Sequence, residues 1–141
     1  MDLLRIYSLT AIVLALKMAA IAVVQGRARQ SAGVFVNPED ARAFKAKEAP
    51  QEVEAVRRAA RAWLNDLENI PIFLILAWIY VAAGLSPNAL AIYCAVFVVA
   101  RILHTIFYIN AVQPWRTIAF TTGAAAMLAL IIHIFIKIVI A

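Results

Sequence analysis

The sequence predicts an all-α integral membrane protein built as a four-transmembrane-helix bundle. Of its 141 residues, 65% are hydrophobic and 15% are charged, and the mean hydropathy is +0.88. A single domain of this length cannot hide so much apolar surface from water. No Asp, Glu, Lys or Arg occurs between Glu68 and Arg101, whereas a spanning helix needs only about 20 mostly apolar residues. The bilayer is therefore the expected solvent, and backbone hydrogen bonding within each segment favours helices there.

Four spans fit the apolar pattern. The charge-free stretch is too long for one span, and Gly84 and Pro87 divide it, because glycine commonly follows the end of a helix and proline commonly begins one. Lys17 interrupts the first span, and Lys137 stands at the far end of the last. The predicted domain covers residues 1–141, with spans at about 6–25, 53–83, 88–110 and 117–139.

The longest polar segment, about 26–52, connects the first two spans. Eight of the thirteen Lys and Arg residues lie between positions 26 and 61, whereas the loop between the second and third spans has none. The positive-inside rule predicts that the segment is cytoplasmic, and the short loops fit a bacterial inner membrane as well as an endoplasmic reticulum. Topology thus explains the net charge of +5, and acidic residues in the same segment argue against nucleic-acid binding. The single cysteine, Cys94, excludes a cysteine metal cluster, and no metal site is expected.

Polar residues recur on one face of the second span. Arg58, Arg61, Asn65 and Glu68 follow at i, i+3, i+7 and i+10, a spacing that places them on one side of a helix, while Asp66 points elsewhere. Each charge in the bilayer costs about 2.5–3.5 kcal/mol. Either the groups neutralise one another, with Glu68 pairing to an arginine, or the surplus arginines bind an anionic ligand.

The third and fourth spans add a second polar face. Arg101, His104 and Tyr108 follow at i, i+3 and i+7, and Arg116 stands where the fourth span begins. The topology places all of these residues in the cytoplasmic half of the membrane. Because arginines outnumber acids on these faces, they predict a basic, hydrogen-bonding pocket that opens to the cytosol. A ligand with two carboxylates, an amine and a thiol would fit such a pocket.

Five blocks of the sequence resemble one family. In chain order they are Leu16-Lys17-Met18, Val34-Phe35-Val36-Asn37-Pro38-Glu39-Asp40, Leu64-Asn65-Asp66-Leu67-Glu68-Asn69-Ile70-Pro71, Ala100-Arg101-Ile102-Leu103-His104-Thr105-Ile106-Phe107-Tyr108 and Gln113-Pro114-Trp115-Arg116. Together they resemble the MAPEG family, the membrane-associated proteins of eicosanoid and glutathione metabolism. The nearest branch is the microsomal glutathione transferases, to which membrane prostaglandin E synthase is related.

The resemblance implies a homotrimer that binds glutathione between neighbouring subunits and takes an apolar electrophile or lipid from the membrane. It implies glutathione contacts at Arg29, Arg61, Asn65, Glu68, His104, Tyr108, Arg116 and Thr117. Arg116 and Tyr108 are the expected catalytic residues, because a guanidinium close to sulfur stabilises the reactive thiolate and a phenol can donate a hydrogen bond to it.

The function implied is conjugation of glutathione to hydrophobic electrophiles, and it could extend to reducing lipid hydroperoxides. Two alternatives stay open: a glutathione-dependent isomerase of lipid endoperoxides and a non-enzymatic lipid-binding protein. Thr117 supplies a hydroxyl beside Arg116 as the isomerase branch does with serine, whereas Phe120 replaces that branch's tyrosine. Ala60 and Trp63 also stand where the transferase branch has arginine and histidine. These departures leave the second substrate open.

Overall fold

The computed structural model describes residues 1–140 and consists of long helices joined by short connections. Four helices are long and apolar enough to cross a membrane, which confirms the predicted all-α membrane fold. Their bounds are α1 Leu3–Ala32, α3 Glu54–Ala82, α4 Pro87–Ile109 and α5 Trp115–Ile134, the last continuing as a π-helical segment over Phe135–Ile140.

Helix α1 extends seven residues beyond the predicted end of the first span at position 25. Asp2 caps its start, where the carboxylate accepts a 2.8 Å hydrogen bond from the backbone N–H of Arg5. Gly33 ends it with a φ of +61°, a left-handed conformation that glycine adopts without steric cost. The added turns carry Arg27 and Arg29 beyond the apolar part of the helix.

The segment between α1 and α3 contains regular structure. Strand β1 (Val34–Phe35) pairs in parallel with β2 (Lys47–Glu48), and the short helix α2 (Pro38–Ala43) connects them. The ring of Phe35 stacks on that of Phe44, with centroids 5.0 Å apart. These contacts hold the end of α1 close to the segment that leads into α3.

Apolar packing joins the helices along the bundle. Helix α1 packs on α3 and α4, and α5 packs mainly on α4. The rings of Phe73 and Phe97 stack between α3 and α4 with centroids 3.8 Å apart. Many large apolar side chains point outward instead, among them Leu16, Ile75 and Ile92. Such a surface is stable only against lipid or another subunit.

A second aromatic cluster lies at the end of the bundle away from Arg116. The hydroxyl of Tyr93 on α4 is 3.1 Å from Nδ1 of His133 on α5, and the Tyr80 ring meets His133 edge-on at 5.2 Å. His133 therefore joins α4 to α5.

Candidate functional site

The most buried charged residue of the described chain, Asp66, lies between three helices. Its Oδ1 accepts hydrogen bonds from Nε and Nη2 of Arg101 on α4, at 3.0 and 2.6 Å. Its Oδ2 accepts from the ammonium of Lys17 on α1 and lies 3.4 Å from the Thr105 hydroxyl. Asp66 is 0% exposed and Arg101 1% exposed. One carboxylate thus ties α1, α3 and α4 together inside the bundle.

This arrangement corrects one expectation and decides one alternative. The helical spacing predicts that Arg101 faces a ligand, and one of the two alternatives pairs Glu68 with an arginine. In the structure Arg101 is sealed against Asp66, and Glu68 is exposed without an ion pair among residues 1–140. The reason is geometric: Asp66 follows Asn65 by one residue, about 100° around the helix. Its carboxylate therefore faces into the bundle, whereas that of Glu68 is exposed.

Asn65 links this buried cluster to the surface. Its side-chain oxygen accepts a 2.6 Å hydrogen bond from Nη2 of Arg101, and the residue itself is half-buried. Asn65 is therefore the member of the predicted α3 face that both touches the cluster and can reach a ligand.

Three predicted site residues, His104, Tyr108 and Arg116, come together at the junction of α4 and α5. The guanidinium carbon of Arg116 lies 4.8 Å from the centre of the Tyr108 ring, within range of a cation–π interaction. The other neighbour of Tyr108 is His104, whose ring it meets edge-on at 5.5 Å. His104 is buried, and its Nδ1 has no hydrogen-bond partner among residues 1–140. Arg116 and Tyr108 are half-buried, so their polar groups can meet a bound molecule.

Gln113 is a contact that sequence reasoning missed. With its amide oriented to satisfy both neighbours, the oxygen accepts from Nε and Nη2 of Arg116 at 3.2 and 2.7 Å, and the nitrogen donates to the Thr117 hydroxyl at 3.1 Å. Gln113 stands in the Gln-Pro-Trp-Arg block, but nothing in the sequence shows that its side chain turns back toward α5. It fixes Arg116 and Thr117 relative to each other.

The start of α3 carries a surplus of positive charge. Glu54 accepts from Arg61 at 2.8 Å and also pairs with Arg57 at 2.8 Å and Arg58 at 3.3 Å. One carboxylate shared by three guanidiniums leaves donors free on the half-exposed side chain of Arg61. The second predicted arginine at this end, Arg29, pairs with Glu52 at 2.7 Å.

An apolar groove of about 550 Å³ runs between α4 and α5 and reaches Trp115, the residue before Arg116. Its lining is apolar apart from Thr122 and includes Val99, Leu103 and Phe107. In a bilayer such a groove takes lipid chains or apolar molecules dissolved among them. Within residues 1–140 no group of three His, Cys, Asp or Glu side chains could hold a metal ion.

The fold and the site define a class: a multi-pass helical membrane protein with a cationic, hydrogen-bonding cluster at one end of its bundle. The family model described as MAPEG family matches residues 7–136. The chain belongs to the MAPEG family.

The relatives fall into two groups, one named as synthases and the other as transferases. Prostaglandin E synthase of Equus caballus is 33% identical over 118 residues, 83% of this chain and 77% of that protein. Microsomal glutathione S-transferase 1 of Homo sapiens is 40% identical over 102 residues, 69% of this chain and 66% of that protein. The rat transferase is 41% identical over the same shares. The chain is thus similar to both an S-transferase and a synthase.

Proposed function

We propose that this protein is a membrane glutathione transferase that joins the sulfur of glutathione to hydrophobic electrophiles. The observation that carries the proposal is the placement of Arg116: an always-charged guanidinium, half-buried on the ring of Tyr108 and held by Gln113. The transferase relatives at 40% and 41% identity support the same activity.

Glutathione carries two carboxylates and one ammonium group. Arg61 and Arg29 would bind the carboxylates through guanidinium donors, Asn65 would donate to a peptide or carboxylate oxygen, and the exposed carboxylate of Glu68 would take the ammonium. Thr117 and His104 would border the ligand near Arg116. A site shared between protomers would bring these residues onto one ligand.

The chemistry at sulfur follows from charge. A free thiol with a pKa near 8.5 is only about 3% thiolate at pH 7, and a neighbouring guanidinium favours the anion. The thiol proton leaves to water at the polar end of the bundle. The thiolate then attacks the electrophilic carbon, so that a carbon–sulfur bond forms and the bond to the leaving group breaks. Arg116 stabilises the anion without accepting a proton.

The assembly and orientation are part of the proposal. The protein acts as a homotrimer with glutathione between protomers, in a bacterial inner membrane or an endoplasmic reticulum. The segment between α1 and α3 faces the cytoplasm, because its Lys and Arg residues exceed those of the connection between α3 and α4. Glutathione then enters from water while the electrophile arrives through lipid.

A second candidate function is the isomerisation of lipid endoperoxides. The Thr117 hydroxyl, which Gln113 holds beside Arg116, favours it, as do the synthase relatives at 31–33% identity. Phe120 lacks the hydroxyl of the tyrosine expected in that branch. Product analysis after incubation with glutathione and a lipid endoperoxide separates an isomer from a glutathione conjugate.

The proposed function is tested with purified protein, glutathione and a chlorodinitrobenzene-type electrophile. We expect Arg116→Gln to lower kcat by about 100-fold, the scale of losing one preorganised charge-stabilising group, while the Kd of glutathione changes less than tenfold. Arg5→Gln is the matched control, because Arg5 pairs with Asp2 near the amino terminus. Conjugation that is absent in the wild type, or unchanged in Arg116→Gln, contradicts the proposal.

A further inference from the structure

We propose that Arg101 is a positioning residue that holds the side-chain amide of Asn65 with its nitrogen turned toward the glutathione site. The inference rests on the function proposed above, in which Asn65 contacts glutathione. It gives a binding role to a buried ion pair that takes no part in the transfer chemistry itself.

The guanidinium of Arg101 is held in place by its contacts to Asp66, independently of its bond to Asn65. Two of its donors, Nε and Nη2, bond the same oxygen of Asp66 at 3.0 and 2.6 Å. Lys17 and Thr105 contact the other oxygen of that carboxylate. With both ends of the pair at most 1% exposed, neither side chain has room to adopt another rotamer.

A third hydrogen bond sets the orientation of Asn65. Nη2 of Arg101 lies 2.6 Å from Oδ1 of Asn65. Because a guanidinium can only donate, the atom of the amide that faces it must be the oxygen. The amide nitrogen therefore points away from the buried pair, and it has no partner among residues 1–140. Asn65 is half-buried, so its two N–H donors can reach a ligand.

The orientation matters because the expected ligand groups are acceptors. An unanchored amide can turn its oxygen as readily as its nitrogen toward a carboxylate or a peptide carbonyl, and the oxygen repels both. Arg101 itself is too deeply buried to touch glutathione, so its effect on binding must pass through Asn65. A lysine at position 101 could keep an ion pair with Asp66, but it lacks the planar fork that reaches two acceptors at once.

The test is a double-mutant cycle on the Kd of glutathione, measured by calorimetry on detergent-purified full-length protein. We expect Arg101→Lys and Asn65→Ala each to weaken binding about tenfold, the scale of one hydrogen bond to a charged group. The double variant should also lose about tenfold, because the second change removes a bond already lost. The KM for glutathione should rise by about the same factor as the Kd in each variant. The circular dichroism spectrum should match that of the wild type, whereas a folding defect would change it.

Thr105→Val is the matched control. It removes a contact to Asp66 and leaves the bond between Arg101 and Asn65 intact, so the Kd should change less than about twofold. Asn65→Asp is a second probe that leaves Lys17, Asp66 and Arg101 unsubstituted. It keeps an acceptor for Arg101 but puts an oxygen where the nitrogen was, and we expect it to weaken binding at least as much as Asn65→Ala.

Losses that multiply to about 100-fold in the double variant overturn the inference. So does an Asn65→Asp protein that binds glutathione as the wild type does. In both cases wild-type conjugation would persist and the proposed function would stand. If the wild-type protein binds no glutathione, the proposed function fails and this inference fails with it.

Discussion

The Tyr108 side chain can act through its ring as well as through its hydroxyl. Its face lies 4.8 Å from the guanidinium carbon of Arg116, and its edge packs on His104 at 5.5 Å. A ring held in this way limits the positions that the Arg116 guanidinium can adopt, and a cation–π contact contributes about 0.5–2 kcal/mol.

We therefore expect Tyr108→Phe to keep kcat within about threefold of the wild type, because the π face remains. Tyr108→Leu should lower kcat about tenfold, since the guanidinium loses its support. Steady-state conjugation rates for the two variants check this. A loss in Tyr108→Phe as large as that in Tyr108→Leu would instead assign the catalytic role to the hydroxyl.

Gln113 supports the same guanidinium through hydrogen bonds to its Nε and Nη2. In Gln113→Glu the carboxylate would pair with Arg116 and cancel the charge that the sulfur needs. We expect the kcat of Gln113→Glu to be about tenfold lower than that of Gln113→Ala. The measurement is the conjugation rate of the two variants at saturating glutathione. Equal rates would show that Arg116 acts on the sulfur without support from this amide.

At the scale of the helices, the sequence predicts more of the fold than of the contacts between elements. Four apolar runs, with Gly84 and Pro87 dividing the longest, identify the four long helices because these signals are local. The pairing of β1 with β2 depends on residues 13 positions apart, Val34 and Lys47, and has no local signature. The partner of Arg101 is hidden for a similar reason. Helical spacing defines faces of one helix but not which neighbour each face meets.

The burial of the Asp66 carboxylate between three helices leads to a prediction about the stability of the bundle. Asp66→Ala would leave Lys17 and Arg101 buried without a counter-charge, which costs about 3–5 kcal/mol of stability. Thermal unfolding in detergent should show a clearly lower melting temperature. Glu48→Ala, which removes an exposed carboxylate on β2, is the control and should leave that temperature nearly unchanged. A melting temperature equal to the wild type in Asp66→Ala would mean that the three helices are held by apolar packing alone.

The whole molecule has more apolar surface than one bundle can bury. Outward residues such as Leu16, Ile75 and Ile92 are more than half exposed, and lipid or a neighbouring protomer must cover them. The proposed trimer would cover part of this surface with neighbouring protomers.

The proposed trimer makes a prediction about mass. Native mass spectrometry from mild detergent should show a species of three chains, each of 15.5 kDa. Glutathione should raise the fraction of trimer, because a ligand bound between subunits stabilises the assembly. A monomer that binds glutathione with the same affinity would remove the need for a shared site.

The central claim is that Arg116 holds the sulfur of bound glutathione as a thiolate. The most direct measurement is the ultraviolet difference spectrum of glutathione bound to the protein at pH 7, where the free thiol is only about 3% ionised. The account predicts a thiolate absorption band in the wild type that is lost in Arg116→Gln at saturating glutathione. A wild-type complex without that band, or a band of equal strength in Arg116→Gln, would contradict it.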